Sequence, residues 1–163
     1  FYMGYGYGIW FIVKNRYIDE LVERFNTKPH IPHLTIMCNM TLQEATRVYD
    51  YLKRTNFKEC LAIPITDLKL MEGNYSNEQV DIAYGIEYSI GNWYQWIEPI
   101  KRIFKGDVPI SPHLSIIYRE KEYEGDLPKL KKLEQVNYLM GYLALADIRS
   151  ENPSEWKIIK LIF

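Results

Sequence analysis

One pentapeptide pattern, written twice, constrains this chain more than anything else in it. Pro32-His33-Leu34-Thr35-Ile36 and Pro112-His113-Leu114-Ser115-Ile116 each set a histidine and a hydroxyl residue two positions apart, directly after a proline. The apolar residues between and after them suit β-strands. On extended backbone, residues i and i+2 point to the same face. His33 and Thr35 therefore share one face, with Leu34 and Ile36 on the other. His113 and Ser115 do likewise, with Leu114 and Ile116 opposite. The fold has to bury two isoleucine–leucine faces and turn two histidine–hydroxyl faces toward a common space.

The flanking sequence repeats the symmetry coarsely. Aromatic and β-branched residues from Tyr5 to Val13 predict a first strand, with Tyr5, Tyr7, Ile9, Phe11 and Val13 on one face. Ile18, Leu21, Val22 and Phe25 then recur at helical spacing after Asn15, a suitable N-cap. The first motif strand runs from His33 to Cys38, with Cys38 on the Leu34/Ile36 side as a buried thiol. Thr41-Leu42-Gln43-Glu44 has the form of a capping box and opens a second helix. Leu61–Met71 reads as one strand, and Gln79–Ser89 as its return after the 73–77 turn. Asn92 suits the cap of a third helix, which contains Pro99 and has Trp93 and Trp96 on its core face. The second motif strand ends near Tyr118. After the charged segment from Arg119 to Asp126 come a short helix at Leu127–Leu133, a long strand from Val136 to Ile148 broken by Gly141, and a last strand from Trp156. No linker or low-complexity stretch divides the chain, so one domain of two similar lobes is expected.

Composition narrows the partners. The 163 residues carry 20 Lys plus Arg against 21 Asp plus Glu, a formal net charge of -1. Grip on a long duplex usually rests on a basic excess, because phosphate neutralisation supplies most non-specific affinity. A small nucleotide or short oligonucleotide suits the balance better. No run of 18 apolar residues and no secretory core segment is evident. Two cysteines outside any CxxC pattern favour a reducing compartment. A cytoplasmic monomer with no membrane contact is the resulting expectation.

Two imidazoles and two hydroxyls are a chemically complete set for a phosphodiester. One neutral histidine takes a proton from the attacking oxygen. One protonated histidine gives a proton to the leaving oxygen. Hydroxyl donors steady charge on the non-bridging oxygens. No cofactor is required, and the scattered Asp and Glu show no metal-ligand spacing. A lone strand histidine is ordinarily structural, but here two of three histidines share near-identical context, 80 positions apart. The third, His30, lacks a hydroxyl two residues on and reads as part of a proline turn. Tyr5, Tyr7, Tyr118 and Trp156 are the candidates for stacking on a base.

The paired His-x-Thr and His-x-Ser motifs resemble the 2H phosphoesterase superfamily. That superfamily includes LigT-like RNA 2′,3′-cyclic phosphodiesterases, plant cyclic-nucleotide phosphodiesterases, viral 2′-5′ oligoadenylate phosphodiesterases and phage anti-CBASS nucleases. The resemblance spans nearly the whole chain in length and element order. It implies a bilobal α+β fold, with the motifs on central antiparallel strands lining a cleft and helices outside. It also implies His33 and His113 as acid/base residues and Thr35 and Ser115 as phosphate ligands, without settling which histidine is the base. The implied activity is metal-independent cleavage of a 2′,3′-cyclic phosphate, a cyclic dinucleotide or 2′-5′ oligoadenylate, the last two suggesting viral degradation of immune signals. The alternative is a non-catalytic module of the same fold that binds a nucleotide or RNA end.

Overall fold

In a computed structural model, the protein is an α+β structure whose strand pairings are antiparallel. The structure describes residues 4–26, 29–55, 61–64, 68–73, 82–90, 94–109, 113–120 and 131–162. In chain order the elements are β1 (Tyr7–Val13), α1 (Arg16–Phe25), β2 (His33–Met40), α2 (Leu42–Arg54), β3 (Leu61–Pro64), β4 (Leu68–Gly73) and β5 (Ile82–Ile90). Then come α3 (Tyr94–Ile103), β6 (His113–Glu120), α4 (Lys131–Glu134), β7 (Tyr138–Asp147) and β8 (Lys157–Ile162). No helix among the described residues is long and apolar enough to cross a membrane.

The first sheet has the order β2-β1-β7-β3, with β8 also paired to β7; the second has the order β4-β5-β6. Among the described residues, each motif strand is thus the edge of its own sheet rather than a central strand. The segment between the predicted ends of the 61–71 strand is divided between the sheets: β3 pairs with β7, and β4 pairs with β5. Pro64 closes β3, as expected of a residue that cannot donate to a ladder. β7, by contrast, runs unbroken through Gly141. A β-carbon there would lie 1.8 Å from the Ile12 carbonyl oxygen, so the glycine admits β1 instead of interrupting the strand. Asn15 caps α1 by accepting from the Ile18 amide at 3.0 Å. The Thr41–Glu44 capping box is present in both directions, at 3.1 and 3.0 Å.

The main core joins both sheets. Ile9, Phe11 and Val13 of β1 meet Ile18, Leu21 and Val22 of α1, Val48 and Leu52 of α2, and Leu114, Ile116 and Ile117 of β6. The opposite face of β1 carries a smaller apolar cluster: Trp10 and Ile12 with Cys38, Ala144, Ala146 and Ile148, flanked by Ile31 and Trp156. One face of the first sheet therefore packs helices, and the other supplies the floor of the candidate site.

Both motif strands are bulged at the same place. Trp10 pairs with Thr35 but Ile9 pairs with Met37, which leaves Ile36 as an extra residue. Glu87 pairs with Ser115 but Ile86 pairs with Ile117, which leaves Ile116 extra. A bulge puts two residues opposite one and re-aims the side chains beyond it. Ile36 and Met37 both enter the main core, as do Ile116 and Ile117. The face exchange after Ile36 overturns one sequence expectation: Cys38 is buried, but it lies on the His33/Thr35 side.

Candidate active site

The two motifs meet at one cavity of about 290 Å³. His33, Thr35, His113 and Ser115 line it together with Tyr5, Trp10, His30 and Trp156. Strand pairing and local chemistry place each of them. Leu34 is fully buried in the core, so alternation turns its neighbours His33 and Thr35 outward into the cavity. Leu114 anchors His113 and Ser115 in the same way. The chain just before the second motif is tied to the first by a two-way backbone bridge. The Cys38 amide donates to the Asp107 carbonyl, and the Asp107 amide to the Cys38 carbonyl, each at 2.9 Å. Asn39, at φ 58, adds a side-chain hydrogen bond to the Asp107 carboxylate at 2.6 Å.

His33 is the most constrained group in the site. Its Nδ1 lies 2.6 Å from the Ile31 carbonyl oxygen. A carbonyl can only accept, so Nδ1 carries the proton and Nε2 holds the lone pair of the neutral ring. The imidazole stacks on the Trp10 indole at 3.7 Å and 14°, and meets the edge of Trp156 at 5.8 Å. Burial pulls its pKa down to about 3; the Ile31 hydrogen bond opposes that shift, while His30 and His113 add to it. His33 is therefore a neutral proton acceptor at ordinary pH. His113 differs in setting: it is exposed to solvent at the cavity.

The aromatic candidates separate. Tyr5 and Trp156 both line the cavity, edge to face at 5.9 Å. The Trp156 indole N–H donates to the Ser150 carbonyl at 2.7 Å, which fixes the ring just before β8 begins. Tyr7 faces the other way, packing on the main core with the Arg149 guanidinium 4.8 Å above its ring. The expected shared face of Tyr5 and Tyr7 is broken by Gly6. Its φ of 66 is open to glycine and reverses the alternation between its neighbours. The backbone of Tyr118 pairs with Gly85, and its side chain lies outside the described residues. By count it holds the place in the second motif that Cys38 holds in the first.

Among the lining residues not expected from sequence are Trp10, His30 and Cys38. Trp10 was legible as a strand residue but not as the platform under His33, because stacking depends on β1–β2 register. His30 lines the cavity, and its Nε2 lies 3.0 Å from the Ser115 carbonyl oxygen. Its position three residues before His33, between two prolines, was the available signal. Cys38 also lines the cavity, but burial and the Asp107 charge push its thiol up to about 11, so it is no thiolate nucleophile near neutrality. Among the described residues, no group of three or more His, Cys, Asp or Glu is placed to hold a metal ion.

The fold and site together define a class: an α+β protein with two His-x-hydroxyl strands, each in its own sheet, lining one aromatic-floored cavity. Compared with known proteins by sequence, the chain matches no family model and no curated protein.

Proposed function

We propose that this chain is a metal-independent phosphodiesterase of the 2H type, with a bilobal 2H fold, acting on a small RNA-like or cyclic nucleotide. The observation that carries the reading is the convergence of both His-x-hydroxyl motifs on one cavity. His33 Nε2 takes the proton of the attacking oxygen, which belongs to water or a neighbouring ribose hydroxyl. His113 gives a proton to the oxygen that leaves phosphorus. Thr35 and Ser115 hydrogen-bond to the non-bridging oxygens, where charge builds in the transition state. Neutral His33 and solvent-exposed His113 suit these different duties.

The cavity is at the small end of ligand pockets, which favours one nucleotide unit over an extended strand. Tyr5 and Trp156 offer a base a stacking wall. Trp156→Ala is expected to raise KM about 5- to 150-fold, as loss of one stacking partner worth about 1–3 kcal/mol predicts, with kcat little changed at about pH 8, where the His33 ring is neutral even with its ordinary histidine value. Steady-state kinetics on the responsive substrate checks this; an unchanged KM removes Trp156 from the binding wall.

The deciding experiment is incubation with 2′,3′-cyclic mononucleotides, cyclic dinucleotides and 2′-5′ oligoadenylate, with and without excess EDTA, followed by chromatography. Turnover of at least one class, undiminished by EDTA, is expected. Turnover of the second or third class supports a viral role against immune signals. Tight binding without turnover across the panel replaces the enzyme with a nucleotide-binding module. Activity abolished by EDTA and restored by a divalent metal overturns the mechanism.

A further inference from the structure

Asn26, at the end of α1, and His30, just before the first motif, both reach the backbone of the second motif. Asn26, buried at the end of α1, donates from Nδ2 to the Ile116 carbonyl at 2.8 Å and to the Val22 carbonyl of its own helix at 2.9 Å. His30 approaches the preceding carbonyl, that of Ser115, through Nε2 at 3.0 Å. Since that carbonyl only accepts, His30 Nε2 carries a proton, the opposite tautomer from neighbouring His33. The two carbonyls belong to successive residues at the β6 bulge, on the edge strand of the second sheet. His30 precedes His33 by three residues, and the carbonyl that it grips belongs to the residue two after His113. The contact is therefore a short strut between the two motifs.

We propose that Asn26 and His30 form a clamp on the bulge of the second motif, and that His30 is a positioning residue setting how His113 and Ser115 face His33. The physical need is plain. The two motifs sit on different sheets, and the Cys38–Asp107 bridge ties the first to the chain before the second at one point. A bulged edge strand also leaves carbonyls that its own ladder does not use. Asn26 and His30 approach two successive carbonyls at the β6 bulge and register one sheet against the other. An acid and a base acting on opposite sides of one phosphorus tolerate little error, since displacement of about 1 Å costs up to about a hundredfold in rate. His30 itself exchanges no proton with substrate in this scheme: its Nε2–H is committed to the backbone.

The catalytic consequence rests on the proposed phosphodiesterase activity; the clamp does not. Two readouts keep them apart. In His30→Leu, which removes the donor, kcat is expected to fall at least about tenfold while KM stays within about twofold. His30→Gln, whose side-chain amide can reach the same carbonyl, is expected to recover most of that loss. Backbone NMR on the same proteins, including the carbonyl shift of Ser115 and amide exchange at Ile116 and Ile117, should show His30→Leu perturbed and His30→Gln near wild type. Unchanged β6 signals in His30→Leu overturn the clamp, whether or not any substrate is turned over. Perturbed signals with unchanged kcat overturn the positioning role. Equal loss of activity in both variants, with β6 signals preserved in His30→Gln, also overturns it and makes His30 a direct participant.

Discussion

Replacing His113 with alanine is expected to lower kcat/KM by about 10²–10⁴, the range that one general acid or base contributes. His33→Ala should fall in the same range, and the double variant should lose little more than the worse single one. Residues acting in one concerted proton transfer do not contribute additively. His113 is the cleaner test because its ring is exposed. Replacing an exposed side chain usually costs less stability than replacing a buried one. An unchanged melting temperature with lost turnover would isolate chemistry from folding. His33→Ala also removes the ring stacked on Trp10 and the Ile31 hydrogen bond, so its melting temperature should drop. Single-turnover assays on the responsive substrate give the rates. A His113→Ala protein cleaving at the wild-type rate would remove His113 from the reaction and leave His33 needing a different acid.

The duplicated pentapeptide made the reactive faces legible because strand alternation is a local property. Leu34 and Leu114 go inward, so the histidines beside them go outward, whatever the topology. The capping box and helix stripes were legible for the same reason. What failed depended on partners. The bulges at Ile36 and Ile116 arise from registers with β1 and β5, which alternation within one strand cannot specify. A trace of them was present: each motif continues with two adjacent apolar residues, Ile36-Met37 and Ile116-Ile117, and both members of each pair are buried. Reading strict alternation through those pairs put Cys38 on the wrong face. Gly6 did the same to Tyr5 and Tyr7, because a left-handed residue reverses parity while leaving composition strand-like. The 61–71 segment read as one strand because both halves are apolar; only the pairing of Leu61–Pro64 with β7 separates them. The place of His30 at the cavity was not legible for a further reason. It makes its contact with the backbone of a residue 85 positions away, and backbone acceptors leave no mark in sequence.

The acid limb of kcat/KM belonging to His33 is expected near pH 3, not near the ordinary histidine value of 6.5. This profile reports groups in the free enzyme, and burial against Trp10 and Trp156 is the leading cause that holds the His33 ring at about 3. Its Nε2 therefore stays an acceptor through pH 5, where an unperturbed histidine would be almost wholly protonated. The same displacement makes folding pH-dependent, and the sign comes from proton counting. Between about pH 6.5 and 3 the unfolded chain binds a proton at His33 that the folded chain does not. Stability from this group is fully present above 6.5 and is lost as pH falls toward 3. The drop from 6.5 to about 3 sets a ceiling of about 5 kcal/mol, at about 1.36 kcal/mol for each pH unit. The contribution is smaller than that, because the edge of the ring reaches the cavity. Three measurements check the account: the pH dependence of kcat/KM, an NMR titration of the His33 ring, and urea midpoints at pH 7 and pH 4. Trp10→Leu, by admitting water to the ring, should raise the His33 midpoint and flatten the loss of stability toward acid. A His33 ring that titrates between pH 6 and 7 in the wild-type protein would mean that it is not held neutral by burial. The assignment of His33 as base and His113 as acid would then lose its electrostatic ground, leaving only the fixed Nδ1 proton to argue for it.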